Sequence, residues 1–432
     1  MLGGSDVPTE ITDAELADAV AAEEEAMEDL LRRLVEAPTI LGNEEPGQVV
    51  MREAFRDAGL EPRDIPLDPE ALRASPFSSP FSWDVSGKSN VVADLPTAGD
   101  GGRSLVLNGH IDVVGPASER LWRTAHFEAV RDGDWVYGRG TGDMKAGLVA
   151  IVGAALGLRR LGLSPRAPVQ LQSVVEEECT GNGALQCVLS SIAARAHPEA
   201  AIVTEPCPGA ITVSQIGVLW FHIDIAGAPV HVGEAGDGVN AIEAAFPIVA
   251  ALHLLEAELN EAPPAPYDEF EHPINLNVGV IKGGEWPSTV AAECSLSCRI
   301  ALYPGMRVPD LQERIEATVA EAAAQHPYLA KHPPVVRYDG FACEGITVPD
   351  DAPLVRVLSA AHERLTGTAA ATTATTATTD ARAFVQHGIP AVCLGPHAEA
   401  IHGIDERVFW PSVVQTAQVL AIFIRDWCGL AA

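Results

Sequence analysis

The sequence predicts an α/β fold: a mostly parallel sheet with helices on both faces, interrupted by an inserted ferredoxin-like βαββαβ domain. The chain has 432 residues, which is long for a single core, so two domains are expected. Strand-forming and helical runs alternate up to residue 210, a βαββαβ order fills 211–339, and the alternation resumes over 340–432. We therefore predict one discontinuous domain, 1–210 with 340–432, around a domain inserted at 211–339.

The first part of the chain supplies the elements of the main sheet. An amphipathic helix is predicted over 14–36, and further helices over 145–161 and 184–196. Strands are predicted at NVVADL, SLVLNGHIDVV, PVQLQSVVEE and AAIVTEP. In such a sheet, active residues lie at the carboxyl ends of the strands and in the loops that follow them. We expect the functional site there.

The inserted part has its own order of elements. It comprises a strand (VSQIGVLWFHIDIAG), a helix (NAIEAAFPIVAALHLLEAEL), two strands (INLNVGVIKGG and VAAECSLSCRIAL), a helix (PDLQERIEATVAEAAAQH) and a strand (PPVVRYDG). Later in the chain, ATTATTATTD at 371–380 has a period of three residues. It is too short for a repeat fold, and we predict that it forms a loop.

Composition argues against two classes of partner. The net charge is −31, whereas nucleic acids and anionic membranes bind clustered Lys and Arg, so we expect a small-molecule partner, no nucleic acid and no membrane. Residues 1–20 lack a basic region followed by an apolar run, so we expect no signal peptide. We also expect no stretch to reach the ~18 to 20 apolar residues of a spanning helix. A cytoplasmic location is therefore predicted. The eight cysteines form no C-x-x-C pair, which favours reduced thiols.

The candidate chemistry begins in the strip LVLNGHIDVVG at 105–115, where a β-forming run ends in His110 with Asp112 two residues on. Alone, this pair is better explained by a core strand that ends in polar residues, and it is the rest of the chain that favours a functional site. Other candidates follow the remaining strands and loops: Asp143, the triplet Glu176, Glu177 and Glu178, Glu205, and His402. Imidazoles with carboxylates suit Zn²⁺ or a similar divalent ion. These residues occupy five places in the sequence. One ligand from each place exceeds the need of one tetrahedral ion, whereas two ions sharing a bridging carboxylate would use all five.

Taken together, the motifs resemble those of one family. GHIDVV, GRGTGDMKAG, EEECTGNG, TEP and IHGIDERV occur in the order found in the M20 metallopeptidases and deacylases, and the resemblance spans nearly the whole chain. It implies a catalytic domain carrying an inserted dimerisation, or lid, domain. It also implies two divalent ions per chain, zinc with cobalt as the alternative. Asp143 would bridge them, with His110 and Glu205 on one ion and Glu178 and His402 on the other.

The resemblance also implies roles for residues that do not bind the ions. Glu177 would be the general base, Asp112 would be hydrogen-bonded to a ligand imidazole, and a cis peptide would follow Asp143. The residues alone leave open whether Glu177 or Glu178 is the ligand, since either could turn inward from a loop.

Two residues of the inserted domain also match family positions. His231 corresponds to a histidine that reaches the active site of the partner subunit, and Arg299 to an arginine that receives a substrate carboxylate. From the residues alone, His231 could be a surface histidine in a loop, and Arg299 could form a structural ion pair.

Three departures from the family pattern affect finer assignments. Residues 288–291 read Ser-Thr-Val-Ala where many relatives have an Asn before Val-Ile-Pro, so a substrate contact there is in doubt. His397 stands where relatives commonly have a small residue after Gly-Pro. Its role could be that of a neutral loop residue, a substrate contact or a competing ligand. The Thr-rich segment lies where relatives have a Gly and Ser or Thr segment. None of these changes touches the five predicted ligands.

The predicted function is that of a homodimeric, dinuclear metal-dependent amidohydrolase. It would remove an acetyl, succinyl or formyl group from the nitrogen of an amino acid or a related small amine. A metallocarboxypeptidase or dipeptidase with the same machinery is the alternative within the family. A non-catalytic binding protein of this fold is the alternative of another class. The absence of a metal ligand or of the general base would favour it, but the five predicted ligands and the base are all present. Nucleotide binding is not predicted, because no Gly-rich phosphate-binding loop follows a strand in the sequence.

Overall fold

The secondary structure is organised around two separate hydrophobic cores. The computed structural model describes residues 11–99 and 101–431. The larger core draws on residues from Leu16 to Val213 and again from Val348 to Cys428, and the smaller core on residues from Ile216 to Leu329. The chain thus leaves one core, builds a second and returns to the first, which is the predicted discontinuous arrangement.

The helices and strands are as follows. The helices are α1 (Asp13–Ala21), α2 (Glu24–Glu36), α3 (Glu45–Asp57), α4 (Pro69–Ala74), α5 (Ala146–Arg160), α6 (Asn182–Ala193), α7 (Ala241–Leu259), α8 (Val308–Ala324), α9 (Pro353–Thr366), α10 (Ala381–Val385) and α11 (Trp410–Cys428). The strands are β1 (Arg63–Pro66), β2 (Ser89–Asp94), β3 (Leu105–His110), β4 (Val130–Asp132), β5 (Trp135–Tyr137), β6 (Ser164–Pro165), β7 (Val169–Val174), β8 (Ala201–Val203), β9 (Ala210–Gln215), β10 (Gly217–Ala226), β11 (Leu276–Gly283), β12 (Glu293–Leu302), β13 (Val335–Arg337), β14 (Ala342–Cys343), β15 (Ile346–Thr347), β16 (Ala371–Thr375), β17 (Ala391–Cys393), β18 (Ala398–Glu399), β19 (Arg407–Phe409) and β20 (Leu430–Ala431).

The larger unit is built on a nine-stranded sheet in the order β1-β2-β7-β3-β8-β17-β9-β15, with β16 also on β9. Its central strands β7, β3, β8 and β17 are parallel, and antiparallel pairs extend the sheet on either side. On one side α5 contacts α1, α2 and α11, while α4, α6 and α10 form a second group. All six residues of β3 are buried, as expected of a strand covered on both faces. The predicted α/β class is confirmed.

The smaller unit has the predicted ferredoxin-like topology. Its sheet runs in the order β11-β12-β10-β13, and every pair is antiparallel. Helices α7 and α8 pack together, and their buried residues belong to the smaller core. Strand β11 forms one edge of this sheet.

Two predicted elements are divided in the structure. The helix predicted over 14–36 is two helices, because α1 packs on α11 while α2 packs on α3, and the chain turns between them. The strand predicted at 213–227 is also two strands, of which β9 pairs in the large sheet and β10 in the small one. The domain boundaries at 210/211 and 339/340 remain predictions, with β9 placed among the strands of the larger unit.

The Thr-rich segment, residues 371–380, is the predicted loop only over 376–380, and the prediction is wrong for its first half. Residues Ala371–Thr375 form β16, which pairs in parallel with β9. Threonine is β-branched and suits an extended backbone, and β9 offers N–H and C=O groups along its length for a further strand. The period-three pattern concealed this because it resembles neither the strand period of two nor a helix.

One helical stretch in the described part of the chain, Thr141–Arg160, is long and apolar enough to cross a membrane by length and composition. No such stretch was expected. Of the 18 most apolar consecutive residues in this stretch, 89% are buried inside the protein, as expected of a core helix. Residues 1–10, on which the expectation of no signal peptide partly rests, lie outside the described residues.

Candidate metal centre and active site

The candidate site forms where the parallel strands end. His110 is the last residue of β3, the triplet Glu176–Glu178 follows β7, and Glu205 follows β8. Asp143 lies in the turn that leads into α5, and His402 lies in the loop between β18 and β19. Since parallel strands present their carboxyl ends at one edge, residues far apart in the sequence meet there.

The five predicted ligands form two groups that share Asp143. In the first group, Nε2 of His110 lies 3.0 Å from Oδ1 of Asp143 and 3.6 Å from Oε1 of Glu205. In the second group, Nε2 of His402 lies 3.3 Å from Oδ2 of Asp143 and 3.0 Å from Oε2 of Glu178. Within each group the candidate ligand atoms lie within 4.8 Å of one another. Each carboxylate oxygen of Asp143 therefore faces a different group.

The site concentrates negative charge away from water. Burial raises the pKa values of the Glu177 and Glu205 carboxyls, and neighbouring carboxylates add to the rise. For Asp143, burial acts to raise the pKa, but hydrogen bonds with His110 and His402 hold it well below its usual range. For His402, burial acts to lower the pKa, but hydrogen bonds to carboxylates outweigh this and raise it to about 11. Such a cluster favours bound positive charge, and the mixed imidazole and carboxylate donors suit divalent cations.

The acidic triplet separates into three environments. Glu176 is fully buried and turned away from the two groups, with Oε1 accepting hydrogen bonds from Lys88 Nζ and Trp83 Nε1, both at 2.8 Å. Glu178 belongs to the second ligand group. Oε2 of Glu177 lies 3.9 Å from Nε2 of His110, and its Oε1 has no hydrogen-bond partner among the described residues. Of the three side chains, that of Glu177 is thus beside the ligand groups with an uncommitted oxygen.

Asp112 is placed differently from the expectation. Nδ1 of His110 lies 2.9 Å from the backbone carbonyl of Asp112, but 3.9 Å from its carboxylate. The carboxylate instead accepts the backbone N–H groups of Glu177 at 3.2 Å and Glu178 at 3.0 Å. The backbone carbonyl therefore orients the imidazole, and the side chain holds the loop that presents the two glutamates. Burial raises the pKa of Asp112 to about 7.

A cavity of about 820 Å³ runs from the ligand groups to the sheet of the smaller unit. From the larger unit it is lined by Glu177, His402 and residues 375–379 of the Thr-rich segment. From the smaller unit it is lined by Trp220, Asn277 and Arg299. Trp220, Arg299 and Asn277 lie side by side on β10, β12 and β11. Arg299 forms no ion pair with a described Asp or Glu, and its one hydrogen bond is a long one of 3.4 Å to the carbonyl of Asn275. Its guanidinium is therefore available to an anion in the cavity.

Two histidines lie outside this cavity within the chain. His231 is exposed at the start of the short 3₁₀ helix Val232–Asp237, where Nδ1 accepts the N–H of Gly233 at 3.1 Å. His397 packs against the rings of Trp135 and Phe409, with ring centroids 5.3 and 6.1 Å away, and lines a different cavity. His397 therefore lies apart from the ligand groups, and His231 does not line the active-site cavity of its own chain.

Several buried charged residues around the site were missed from the sequence: Arg139, Lys145, Asp380, Arg382 and Glu406. Arg382 donates to the carbonyls of Thr180 and Thr379, and its Nη1 lies 4.0 Å from Oε1 of Glu177. Gly181 gives it room, since a Cβ there would lie 1.6 Å from Nη2 of Arg382. Arg139 and Glu406 stand inside the quoted motifs, and this position was the available signal. The predicted cis peptide Asp143–Met144 is present.

Comparison with known proteins gives a consistent picture. The model of peptidase family M20/M25/M40 matches residues 106–426. N-formyl-4-amino-5-aminomethyl-2-methylpyrimidine deformylase of Halalkalibacterium halodurans is 29% identical over 367 residues, 81% of this chain and 85% of that protein. Acetylornithine deacetylase of Edwardsiella ictaluri is 30% identical over 347 residues, 79% of this chain and 84% of that protein.

Solved structures share the fold over nearly the full length. The dipeptidase Dug1p from Saccharomyces cerevisiae superposes with a TM-score of 0.79 at 12% identity, over 96% of this chain and 98% of that chain. YXEP of Bacillus subtilis, described as a dinuclear metal binding peptidase from the M20 family, has a TM-score of 0.60 at 17% identity, over 94% of this chain and 99% of that chain.

Proposed function

The chain belongs to peptidase family M20/M25/M40, and on that premise we propose that it is a dinuclear metal-dependent amidohydrolase. It removes an acetyl, succinyl or formyl group from the nitrogen of an amino acid or a related small amine. The observation that carries the proposal is the pair of ligand groups that share Asp143, one carboxylate oxygen facing each. The deformylase and deacetylase relatives, which act on acylated nitrogen, support this choice of reaction.

Two divalent ions fit the donor set, with zinc as our assignment and cobalt as the alternative. Each group combines one imidazole with carboxylates, a set that both metals accept. When bound, the ions would supply Lewis acid chemistry, polarising the scissile carbonyl and lowering the pKa of the attacking water. The description of YXEP as a dinuclear metal binding protein supports the count of two.

Glu177 moves the proton in the proposed reaction. Its Oε1 has no hydrogen-bond partner among the described residues, so it can accept the proton that the attacking water gives up. The same carboxyl then donates that proton to the leaving nitrogen, which departs as a neutral amine. The Asp112 carboxylate, by accepting the N–H groups of Glu177 and Glu178, keeps base and ligand in their separate places.

A substrate screen tests the proposed function directly. Zinc-loaded and cobalt-loaded enzyme is incubated with N-acetyl, N-formyl and N-succinyl amino acids, N-formyl aminomethylpyrimidines and dipeptides, and the products are identified by mass spectrometry. We expect turnover of at least one N-acyl compound and little turnover of dipeptides. Cleavage of dipeptides alone would establish the peptidase alternative. The likeness to the dipeptidase Dug1p fits that alternative, because a protein of the same fold acts there as a dipeptidase.

Arg299 is proposed to bind a carboxylate of the substrate. It lines the cavity, and its guanidinium has no acidic partner among the described residues. Arg299→Ala is expected to raise KM strongly for an N-acyl amino acid, and far less for the matching amide, because only the acid loses a charge-assisted pair. Steady-state kinetics on both substrates provide the measurement. Equal losses on acid and amide would assign Arg299 a structural role instead.

We also propose that the working unit is a homodimer formed through the smaller unit. Strand β11 is an edge strand, and its Val280 and Ile281 are 45% and 53% exposed. On neighbouring α7, Phe246 and Leu254 are 59% and 67% exposed. An edge strand beside exposed apolar side chains is suited to pairing with a second copy about a two-fold axis. His231, exposed in its own chain, would then act in the partner's site.

Mixing inactive subunits tests the action of His231 in trans. Glu177→Ala and His231→Ala homodimers should each be nearly inactive. In a mixed dimer, two-fold symmetry puts both lesions into one site and leaves the other intact. Random exchange of equal amounts makes about half the dimers mixed, so roughly a quarter of wild-type activity should return. Glu177→Ala mixed with Glu178→Gln is the matched control and should recover nothing. No recovery with His231→Ala after verified exchange would mean that His231 acts within its own chain or not at all.

A cytoplasmic location completes the proposal. All eight cysteines lie in the described part of the chain, and they are free and buried, as is common in a reducing compartment. Cell fractionation with an antibody against the protein would test it.

A further inference from the structure

A buried ion pair outside the ligand set contacts two of the three segments that carry the second ligand group, those of Asp143 and His402. Arg139 and Glu406 are 1% and 0% exposed, and Nη1 of Arg139 lies 2.5 Å from Oε2 of Glu406. Arg139 precedes the turn that carries Asp143, and Glu406 follows the loop that carries His402. An ion pair removed from water in this way needs further hydrogen bonds to be tolerated, so the other partners of the two side chains are informative.

The carboxylate of Glu406 holds the turn of Asp143. Its Oε1 accepts the backbone N–H groups of Gly142 at 2.9 Å and of Asp143 at 3.0 Å. The turn is closely fitted there, because a Cβ on Gly142 would lie 2.6 Å from the Cβ of Ala398. Charge-assisted bonds to two consecutive amides leave this backbone little freedom. Glu406 therefore fixes where the Asp143 carboxylate is presented.

The guanidinium of Arg139 holds the loop of His402. Its Nη2 donates to the backbone carbonyls of His402 at 3.3 Å and of Gly403 at 3.0 Å. The loop contains three residues other than glycine with positive φ, namely Ala400 at 55°, His402 at 60° and Asp405 at 58°. Such backbone costs energy and persists only where the surroundings impose it. The planar guanidinium supplies part of that constraint, since its N–H groups can bind a carboxylate and backbone carbonyls at the same time.

We propose that Arg139 and Glu406 are positioning residues that keep Asp143 and His402 at ligating distance. The pair would thereby set the affinity of the ion held by Asp143, Glu178 and His402. His110 ends β3 and Glu205 follows β8, and neither is hydrogen-bonded to the pair. Of the ligands of the other ion the pair holds only Asp143, whereas it holds both Asp143 and His402 of this one, so the other ion should be less affected. The inference rests on the proposed function, because it presupposes two ions.

The test measures metal binding rather than activity. Arg139→Lys keeps the positive charge but removes the fork, so binding of one of the two ions is expected to weaken by about 10-fold to 100-fold. Titration with Co²⁺, followed by its absorption spectrum and by elemental analysis of the dialysed protein, resolves the two binding steps. His402→Ala identifies the affected step, since it removes a ligand of that ion.

Two further variants make the test specific. Glu406→Gln keeps an oxygen for the two amides but loses the charge opposite Arg139. It should weaken the same binding step. With this second variant, the test does not depend on whether Arg139→Lys folds. Leu420→Ala truncates a buried leucine of α11 away from the site and should lower the melting temperature with both binding steps unchanged.

The outcomes separate the inference from the proposed function. Wild-type protein that binds a single ion would overturn both. Two binding steps that stay unchanged in Arg139→Lys and Glu406→Gln, or that weaken equally, would overturn the positioning role and leave the dinuclear site standing.

Discussion

Glu177→Gln is expected to lower kcat by at least about 100-fold while leaving both metal ions bound. The amide occupies the same volume as the carboxylate but can neither accept the proton of the water nor pass it to the leaving nitrogen. Loss of general acid–base catalysis accounts for the size of the effect. KM should change little, because Glu177 is not proposed to bind the ground state of the substrate. Steady-state kinetics with elemental analysis of the same preparation check both parts.

The neighbouring glutamate is the matched control for that prediction. Glu178→Gln makes the same chemical change one residue along, but on a side chain 3.0 Å from Nε2 of His402 in the second ligand group. It should weaken metal binding first, with activity restored in part by excess metal. If the two variants exchanged phenotypes, base and ligand would be assigned the wrong way round.

Much of the fold and site could be predicted because their signals are local in the sequence. The run that ends in His110 has the hydrophobicity of a buried strand, and a parallel sheet gathers such strand ends at one edge. The order of elements in the insert likewise fixes its antiparallel sheet, because the ferredoxin-like topology leaves each strand one place.

The remaining features depend on contacts between distant segments. Asp112 stands two residues after His110, yet its carboxylate serves the loop of Glu177 instead of the imidazole, a choice set by how β3 and β7 lie together. Residues 371–375 form a strand because β9 accepts them as a neighbour. Arg139 and Glu406 are 267 positions apart, so nothing local relates one to the other. The proposed role of His231 requires a second chain.

Asp143→Ala is expected to abolish activity and to reduce the metal content of the saturated protein below two ions per chain. Both candidate ion positions use this carboxylate, with Oδ1 3.0 Å from Nε2 of His110 and Oδ2 3.3 Å from Nε2 of His402. Its removal leaves each group one ligand short and removes the negative charge that screens one ion from the other. Elemental analysis after dialysis against zinc, together with activity on the best substrate from the screen, gives the measurement.

Asp13→Ala is the matched control for this loss of a carboxylate. Asp13 forms ion pairs with Arg364 and Arg425 in the same unit, so its removal takes one carboxylate from two guanidinium groups, which keep Asp426 as a partner. That variant should keep two ions and wild-type kcat, even if it melts at a lower temperature. One tight ion per wild-type chain at saturation, with Asp143→Ala still fully active, would contradict the dinuclear site. Two retained ions in an inactive Asp143→Ala would instead mean that His110, Glu205, Glu178 and His402 hold the metals without a bridge, and that Asp143 acts on the reaction itself.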